Sequence, residues 1–549
     1  MKPDSKPAYD LPMTTDHRED WVWWKHGVFY HIYTQSFYDS NNDGIGDLQG
    51  VIQKLDYIAS LGVDAIWLSP IYQSPMHDHG YDVSDFRSID PVFGSISDFK
   101  QLIFECHTRG VRVIMDMIMN HTSMDHPWFR QSSSSKSHPK RNWYIWKDGK
   151  KAGPPNNWKS TFGGSAWQLD EQTGQYYLHS FLKEQPDLNW RDKALRKEFF
   201  KEIKYWLDMG VDGFRLDAIN MIGKDKHFRD NPGLLGFFNV GNNLFNRNAP
   251  RSHKVVKKLR KMIDTYSNRV IVGEILIPPP GNPGVAASYL GNGKNQLHMA
   301  FDFSLIFRKW SALYYYQAIE DWYSEIPKKG WPSFVFSNHD LFRSKNRLGV
   351  GKNKDEKAKI LAILLLTLRG TPFIYYGEEL GMENVKLAKD QVLDPLGKKY
   401  WPLFPGRDIA RSPMQWSDEP YAGFSAKEPW LPVHKNFEEV NTEKLESDNK
   451  SILNLYIKLI ALRKEYPSLS MGEWKPILKG ENGLISYYRI YKNRKIQIIL
   501  NFTAQKKAYK NGKEVFWKIL LSTQRSIHEE VDFDNFTLLP YEGIILKLL

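Results

Sequence analysis

Four short segments each place an acid at, or just beyond, an apolar strand-like run: DMIMNH (116–121), GFRLD (213–217), VIVGE (270–274) and FVFSNHD (334–340). In GFRLD, Arg215 and Asp217 are two apart, so on a strand they share one face while Phe214 and Leu216 take the other. Burying charges on that face is costly unless they are paired and hydrogen-bonded, and a strand made only for packing would carry Val or Ile. Glu274 follows Gly273, which leaves room for a close neighbour. Its expected job is general acid, with a pKa raised by desolvation or by a nearby carboxylate. Asp217, beside Arg215, is expected to be its ionised partner. Two carboxyl groups tuned in opposite directions are the equipment of glycoside hydrolysis. Taken singly, GFRLD fits a buried salt bridge and Glu274 a solvated strand end; four such segments in order favour a catalytic cleft.

The elements that must position these acids can be read along the chain. Strand-like runs at 28–33, 63–68, 111–116, 212–217, 270–274, 297–302, 332–337 and 372–376 alternate with helical patterns such as 48–61, 97–109 and 195–209. Eight strand–helix units predict an α/β fold, a (β/α)8 TIM barrel whose active site lies at the C-terminal strand ends. The first barrel part is expected over 20–118. Residues 119–187, rich in Ser, Lys, Gly, Pro and Trp, read as a small inserted domain after strand 3. The barrel resumes over 188–465, including a long excursion after strand 8, and short alternating strands over 466–549 predict a C-terminal antiparallel β-sandwich.

A separate signal is DSNNDGIGD (39–47), with Asp39, Asn41, Asp43, Ile45 and Asp47 at alternate positions. It resembles the start of an EF-hand loop but has Gly50 where the distal bidentate Glu would stand. On its residues alone, a polar turn and a metal site fit it equally.

Bulk properties exclude several classes. At 549 residues, with 41% hydrophobic and 25% charged, the chain suits a large soluble domain with smaller ones attached. The net charge of +12 is spread over helices with Glu between the basic residues, which is a solvated face and not a nucleic-acid footprint. Aromatic content of 14% serves either a large core or stacking on sugar faces. Cys106 is the single cysteine, so neither an intrachain disulfide nor a cysteine metal site is expected. The first twenty residues carry no apolar leader core, and no window approaches the ~18 apolar residues of a membrane helix. A cytoplasmic monomer or homodimer, with no nucleic-acid or membrane partner, is the expectation.

Further motifs are HGYD (79–82), FGGSAW (162–167), QPDLN (185–189), GTPFIYYGEELGM (370–382) and RSPMQW (411–416). With the four acid segments they make nearly the whole chain resemble the α-amylase family of glycoside hydrolases, in its α-glucosidase and oligo-1,6-glucosidase branch. The resemblance implies Asp217 as nucleophile, Glu274 as acid/base and Asp340 as transition-state stabiliser. It implies a retaining mechanism, with the two reacting carboxyl groups about 5–5.5 Å apart. His121 and His339 would hydrogen-bond the sugar, Arg215 would keep Asp217 ionised, Tyr81 would be the stacking platform, and Asp82 would recognise the non-reducing end. An arginine after strand 8, Arg407 or Arg411, would close against that aspartate. Phe162, Phe181 and Trp416 would line the next subsite or pack in the core. The loop at 39–47 would hold structural Ca2+, or Mg2+, with no cofactor for catalysis.

QPDLN belongs to the oligo-1,6-glucosidase side of the family. Valine after the nucleophile tends to accompany α-1,6 cleavage there, and Ala or Thr α-1,4; this chain has Ala218. The resemblance therefore implies an exo-acting α-glucosidase favouring α-1,4 bonds of maltose and short glucosides, with transglucosylation when a sugar replaces water. Rivals are an oligo-1,6-glucosidase, an isomerising relative such as trehalose synthase or sucrose isomerase, and, remotely, a non-catalytic amylase-like transporter subunit. After Asp340 the chain reads LFRSKNR, where relatives commonly have a proline, which bears on the acceptor side.

Overall fold

The structure is a computed structural model and describes residues 20–151, 153–232, 244–275, 281–349, 351, 353–510, 517–526, 530–531 and 536–548. Residues 1–19, where the sequence was read as lacking a leader core, lie outside these.

Eight parallel strands form the central sheet: β1 (Phe29–Ile32), β2 (Ala65–Leu68), β3 (Arg112–Ile118), β4 (Gly213–Asp217), β5 (Val270–Glu274), β6 (Met299–Phe301), β7 (Ser333–Val335) and β8 (Thr371–Tyr375). Their order is β6-β5-β4-β3-β2-β1-β8-β7. The two ends of that order meet where Ser333 Oγ donates to the Ala300 carbonyl at 3.0 Å, so the sheet curls into a barrel. All eight expected strands are present, most of them shorter than their apolar runs.

Alternation along the strands divides the core in two. Phe29, Trp67, Ile114, Val272, Met299, Phe301 and Phe373 fill the barrel interior. Phe214, Leu216, Val113, Ile271 and Ile374 pack outward with the apolar faces of the surrounding helices. Helix starts follow local chemistry: Ser95 and Asp98 form a reciprocal cap on Ile96–Thr108, and Asp192 caps Lys193–Asp208.

Between β3 and β4 lies a three-stranded antiparallel sheet of Trp146–Lys147, Gln175–Leu178 and Trp167–Asp170, with Gln175–Leu178 central. After the helix Ile452–Glu465, a six-stranded antiparallel sheet runs in the order Glu473–Lys479, Leu484–Tyr491, Arg494–Asn501, Gly543–Leu548, Trp517–Ser522, Glu530–Val531. Lys507–Tyr509 pairs with Phe536–Leu538 over it, their side chains sharing one apolar cluster. Among the described residues no helix is long and apolar enough to cross a membrane.

Candidate active site

The C-terminal ends of β3, β4 and β5 bring Asp116, Asp217 and Glu274 around one guanidinium. Arg215 Nη1 bonds Asp116 and reaches Asp217 Oδ1 at 2.9 Å, while its Nη2 meets Glu274 Oε2 at 2.7 Å. The shared face read from the GFRLD spacing is what puts Arg215 beside Asp217. Gly273 does leave room, but for apolar neighbours: a Cβ there would stand 2.4 Å from Leu297 Cδ1 and 2.9 Å from Ile219 Cγ2. Asp116 also accepts from the Trp67 indole at 3.0 Å, and burial raises its carboxyl to about 6 against the pull of Arg215.

The division of charge differs from the sequence expectation. Burial pushes the Asp217 carboxyl well above the usual carboxylate range; Arg215 opposes the rise, and Glu274, Asp116 and Asp340 add to it. Arg215 cannot by itself keep Asp217 ionised because three acids share it. Glu274 Oε2 also accepts from the Ala218 N–H at 3.1 Å. Ala218 holds a left-handed backbone (φ 39°), which orients that N–H at a cost of about 1–2 kcal/mol for a residue with a Cβ.

Asp340 is the contrasting acid. Burial alone would raise it, but Arg407, Arg411 and Arg215 outweigh burial and hold it below the usual range. Arg407 Nη1 lies 3.2 Å and Arg411 Nη2 3.1 Å from Asp340 Oδ1. His339 is buried against Tyr81, with parallel rings 5.3 Å apart and Tyr81 Oη 2.5 Å from Nε2. His121 Nε2 stands 3.1 Å from the Tyr81 carbonyl, with the Phe181 ring beside it. Burial lowers both imidazoles, keeping them neutral.

These groups face a cavity of about 160 Å³ lined by, among others, Tyr81, His121, Phe162, Phe181, Asp217, Glu274, Asp340 and Arg407. Asp82 does not line it. Its carboxylate turns inward and accepts from Ser74 Oγ and the N–H groups of His77 and Asp78 at 2.9–3.0 Å, and burial raises it to about 6. The turn passes through left-handed Met76, His79 and Gly80, so that Asp78 reaches the cavity in its place. Asp78 Oδ1 meets Arg407 Nη2 at 2.6 Å. Of the two candidate arginines, Arg407 is the one paired with Asp78, whereas Arg411 sits behind Asp340 and donates to the His339 carbonyl at 2.8 Å. Trp416 lies away from the cavity, its indole donating to the Phe37 carbonyl at 2.7 Å. Sequence reasoning missed Asp78, although it is next to the HGYD motif, and missed Asp394, which anchors Arg407 at 2.6 Å.

The donor set at 39–47 was tested against the Ca2+ or Mg2+ expectation. Asp39 accepts from the N–H groups of Asn41, Asn42 and Gly44 and from Ser425 Oγ; Asp43 accepts from the Ile45 N–H. Asp47 caps the following helix through Gly50 and binds Ser40. Among the described residues no three His, Cys, Asp or Glu side chains converge as a cation cage. The carboxylates of this turn accept hydrogen bonds from its own N–H and hydroxyl groups.

The α-amylase catalytic-domain profile matches residues 31–472. The chain belongs to the α-amylase family. It is a glycoside hydrolase of the α-glucosidase and oligo-1,6-glucosidase group. It is 39% identical to an oligo-1,6-glucosidase of Parageobacillus thermoglucosidasius, over 96% of this chain and 99% of the relative. It is 40% identical to a probable α-glucosidase of Rhizobium meliloti (strain 1021), over 88% and 89%. Among solved structures, the trehalulose synthase of Pseudomonas mesoacidophila MX-45 superposes with a TM-score of 0.89 at 34% identity, covering 96% of this chain and 99% of that one. The family accounts for the barrel and for acids at its C-terminal face; linkage and substrate are a separate matter.

Proposed function

We propose that this glycoside hydrolase is a retaining, exo-acting α-glucosidase that releases glucose from the non-reducing end of maltose and short α-1,4-glucosides. The observation that carries the reading is one guanidinium, Arg215, bonded to both Asp217 and Glu274, in a cavity closed on one side by the Asp78–Arg407 bridge. A closed side suits a chain end and not a long polysaccharide lying across the cleft.

In this reading Glu274 protonates the glycosidic oxygen while Asp217 attacks the anomeric carbon, breaking the bond and forming a covalent glucosyl–enzyme. Glu274 then takes the proton of an incoming water, or of a sugar hydroxyl, as the Asp217 ester breaks. Burial and the neighbouring acids raise the Asp217 carboxyl, and attack requires Asp217 in its ionised form. Asp340, held ionised by Arg407 and Arg411, stabilises the positive charge developing on the ring. Tyr81 offers a ring to the sugar face, and Asp78 with Arg407 binds its non-reducing hydroxyls.

The preference for α-1,4 bonds rests on Ala218, whose small side chain lines the cavity beside the nucleophile. A second reading, α-1,6 cleavage, is favoured by the oligo-1,6-glucosidase named above. Initial rates on maltose, isomaltose, sucrose and trehalose, with the anomer of released glucose followed by NMR, test both. Maltose preferred, with α-glucose released first, supports the proposal. β-Glucose first rules out retention, and trehalulose or trehalose as main product rules out hydrolysis as the main activity. Ala218→Val is expected to raise the isomaltose-to-maltose rate ratio. Asp217→Ala should abolish turnover of a chromogenic α-glucoside.

A further inference from the structure

Among the described residues, one cation in the cleft has no carboxylate partner. Arg247 lies on the chain leading from β4 to the helix Pro250–Ile263, and the Asn248 N–H fixes that segment by donating to the Asn220 carbonyl at 2.8 Å. Arg247 lines the same cavity as Asp217 and Glu274, and it is only 9% exposed. Among the described residues its single hydrogen bond runs from Nη2 to Thr161 Oγ1 at 3.2 Å, and its buried Nε has no partner. The undescribed stretches nearest in sequence, 233–243 and 276–280, read GLLGFFNVGNN and LIPPP and contain no acid.

A guanidinium carries five donors, and burying it with one neutral partner costs several kcal/mol. Several other buried arginines meet that cost in one of two ways. Arg463 donates to the carbonyls of Leu366, Leu469 and Gly370 at 2.6–3.0 Å. Arg215, Arg407 and Arg411 each hold at least one carboxylate. Among the described residues Arg247 has neither arrangement, and burial lowers its pKa to about 10. Among the described residues its other donors have no partner, which leaves them to something that enters the cleft.

Position indicates which part of the substrate that is. In the order β6-β5-β4-β3-β2-β1-β8-β7, β4 and β8 stand across the barrel from each other. Arg407, after β8, closes the glucose side against Asp78; Arg247 comes from the segment after β4 that is tied to Asn220, three residues past Asp217, and lines the cavity with it. We propose that Arg247 selects an anionic aglycone: an α-glucoside, or a glucosyl acceptor, whose leaving-side group carries a carboxylate or a phosphate. The inference rests on the glucosidase reading, because it takes the Asp78–Arg407 side to hold the glucose. A planar guanidinium suits either oxyanion through paired N–H donors.

Aryl α-glucosides bearing a carboxamide, a carboxylate or a phosphonate, each at the meta and para positions, test this. The quantity read is kcat/KM for the anionic compound over that for its neutral counterpart, in the wild-type protein, in Arg247→Met and in Arg247→Lys. Comparing the ratio between proteins cancels intrinsic leaving-group reactivity. The ratio is expected to fall about tenfold or more in Arg247→Met, the size of a lost hydrogen bond to a charged group, with partial recovery in Arg247→Lys. A larger fall for the phosphonate identifies a phosphate-bearing group, and a larger fall for the carboxylate identifies an acid. An unchanged ratio in Arg247→Met, with melting temperature retained, overturns the proposal. If wild-type protein turns over none of the aryl glucosides, the glucosidase reading itself fails, which is a distinguishable result. Should Arg247→Met fail to fold, the wild-type ratio measured from low to high salt replaces it: a fall with salt supports the ion pair, and a flat ratio overturns it.

Discussion

Replacing Asp78 by Ala distinguishes the aspartate that faces the cavity from the one that builds the turn. Asp78 accepts from Arg407 Nη2 at 2.6 Å and from Gln185 Nε2 at 3.0 Å. Arg407 would keep Asp394, bonded through Nε and Nη2 at 3.0 and 2.6 Å, and Asp340 at 3.2 Å, so the loop after β8 stays anchored. On the proposed function, what is lost is a carboxylate able to accept from two hydroxyls of the terminal glucose. Hydrogen bonds to charged groups are worth about 1.5–3 kcal/mol each, so two correspond to about 3–6 kcal/mol. That is roughly a 10²- to 10⁴-fold fall in kcat/KM on maltose. Asp82→Asn keeps one carbonyl acceptor for the turn. It is expected to lower stability by about 1–3 kcal/mol and kcat/KM by less than about tenfold. Steady-state kinetics on maltose, with thermal melts of both variants, read the contrast. If Asp78→Ala stays within about threefold of wild type while Asp82→Asn loses activity at unchanged stability, the assignment of Asp78 is refuted.

Two further outcomes concern parts of the fold outside the chemistry. Burial raises Glu378 to about 7, with Ser337, Arg347 and Tyr456 opposing and Glu379 adding to the rise. A folded-state pKa above the unfolded value makes the contribution to stability greatest below about pH 4.5, and it is lost as pH climbs through 7, by about 3 kcal/mol in all. Glu378→Gln should therefore raise the melting temperature at pH 8 and change it little at pH 4.5; a shift equal at both values counts against the buried proton. At the 39–47 turn, EDTA is expected to leave the melting temperature unchanged because backbone N–H groups already satisfy Asp39 and Asp47. A fall that Ca2+ restores would show an ion bound there.

Much of the fold was legible because its signals are local. Eight apolar runs of strand length, separated by helix-period patterns, specify parallel strands buried on both faces, and such strands close into a barrel. The period of two puts Arg215 and Asp217 on one face. The shared guanidinium was not legible: Asp116 and Asp217 are a hundred residues apart in the chain, and only the pairing of β3 with β4 sets Asp116 beside Arg215 in register. Ala218 was read as a linkage signal, but its left-handed backbone, which aims an N–H at Glu274, follows from the turn after β4.

The sequence by itself determined the barrel, the alternation that turns charge inward on β4, and the residue types available at the strand ends. The tertiary structure decided which oxygen faces the cavity. Asp78 and Asp82 are four residues apart in one turn, and no periodicity separates them; left-handed Met76, His79 and Gly80 turn one inward to hold N–H groups and leave the other for Arg407. It likewise separated Arg407 from Arg411, and among the described residues it left Arg247 buried without an acid. Such choices depend on partners supplied by distant segments and on burial, which raises the cost of every unpaired charge. Local sequence carries neither of these terms.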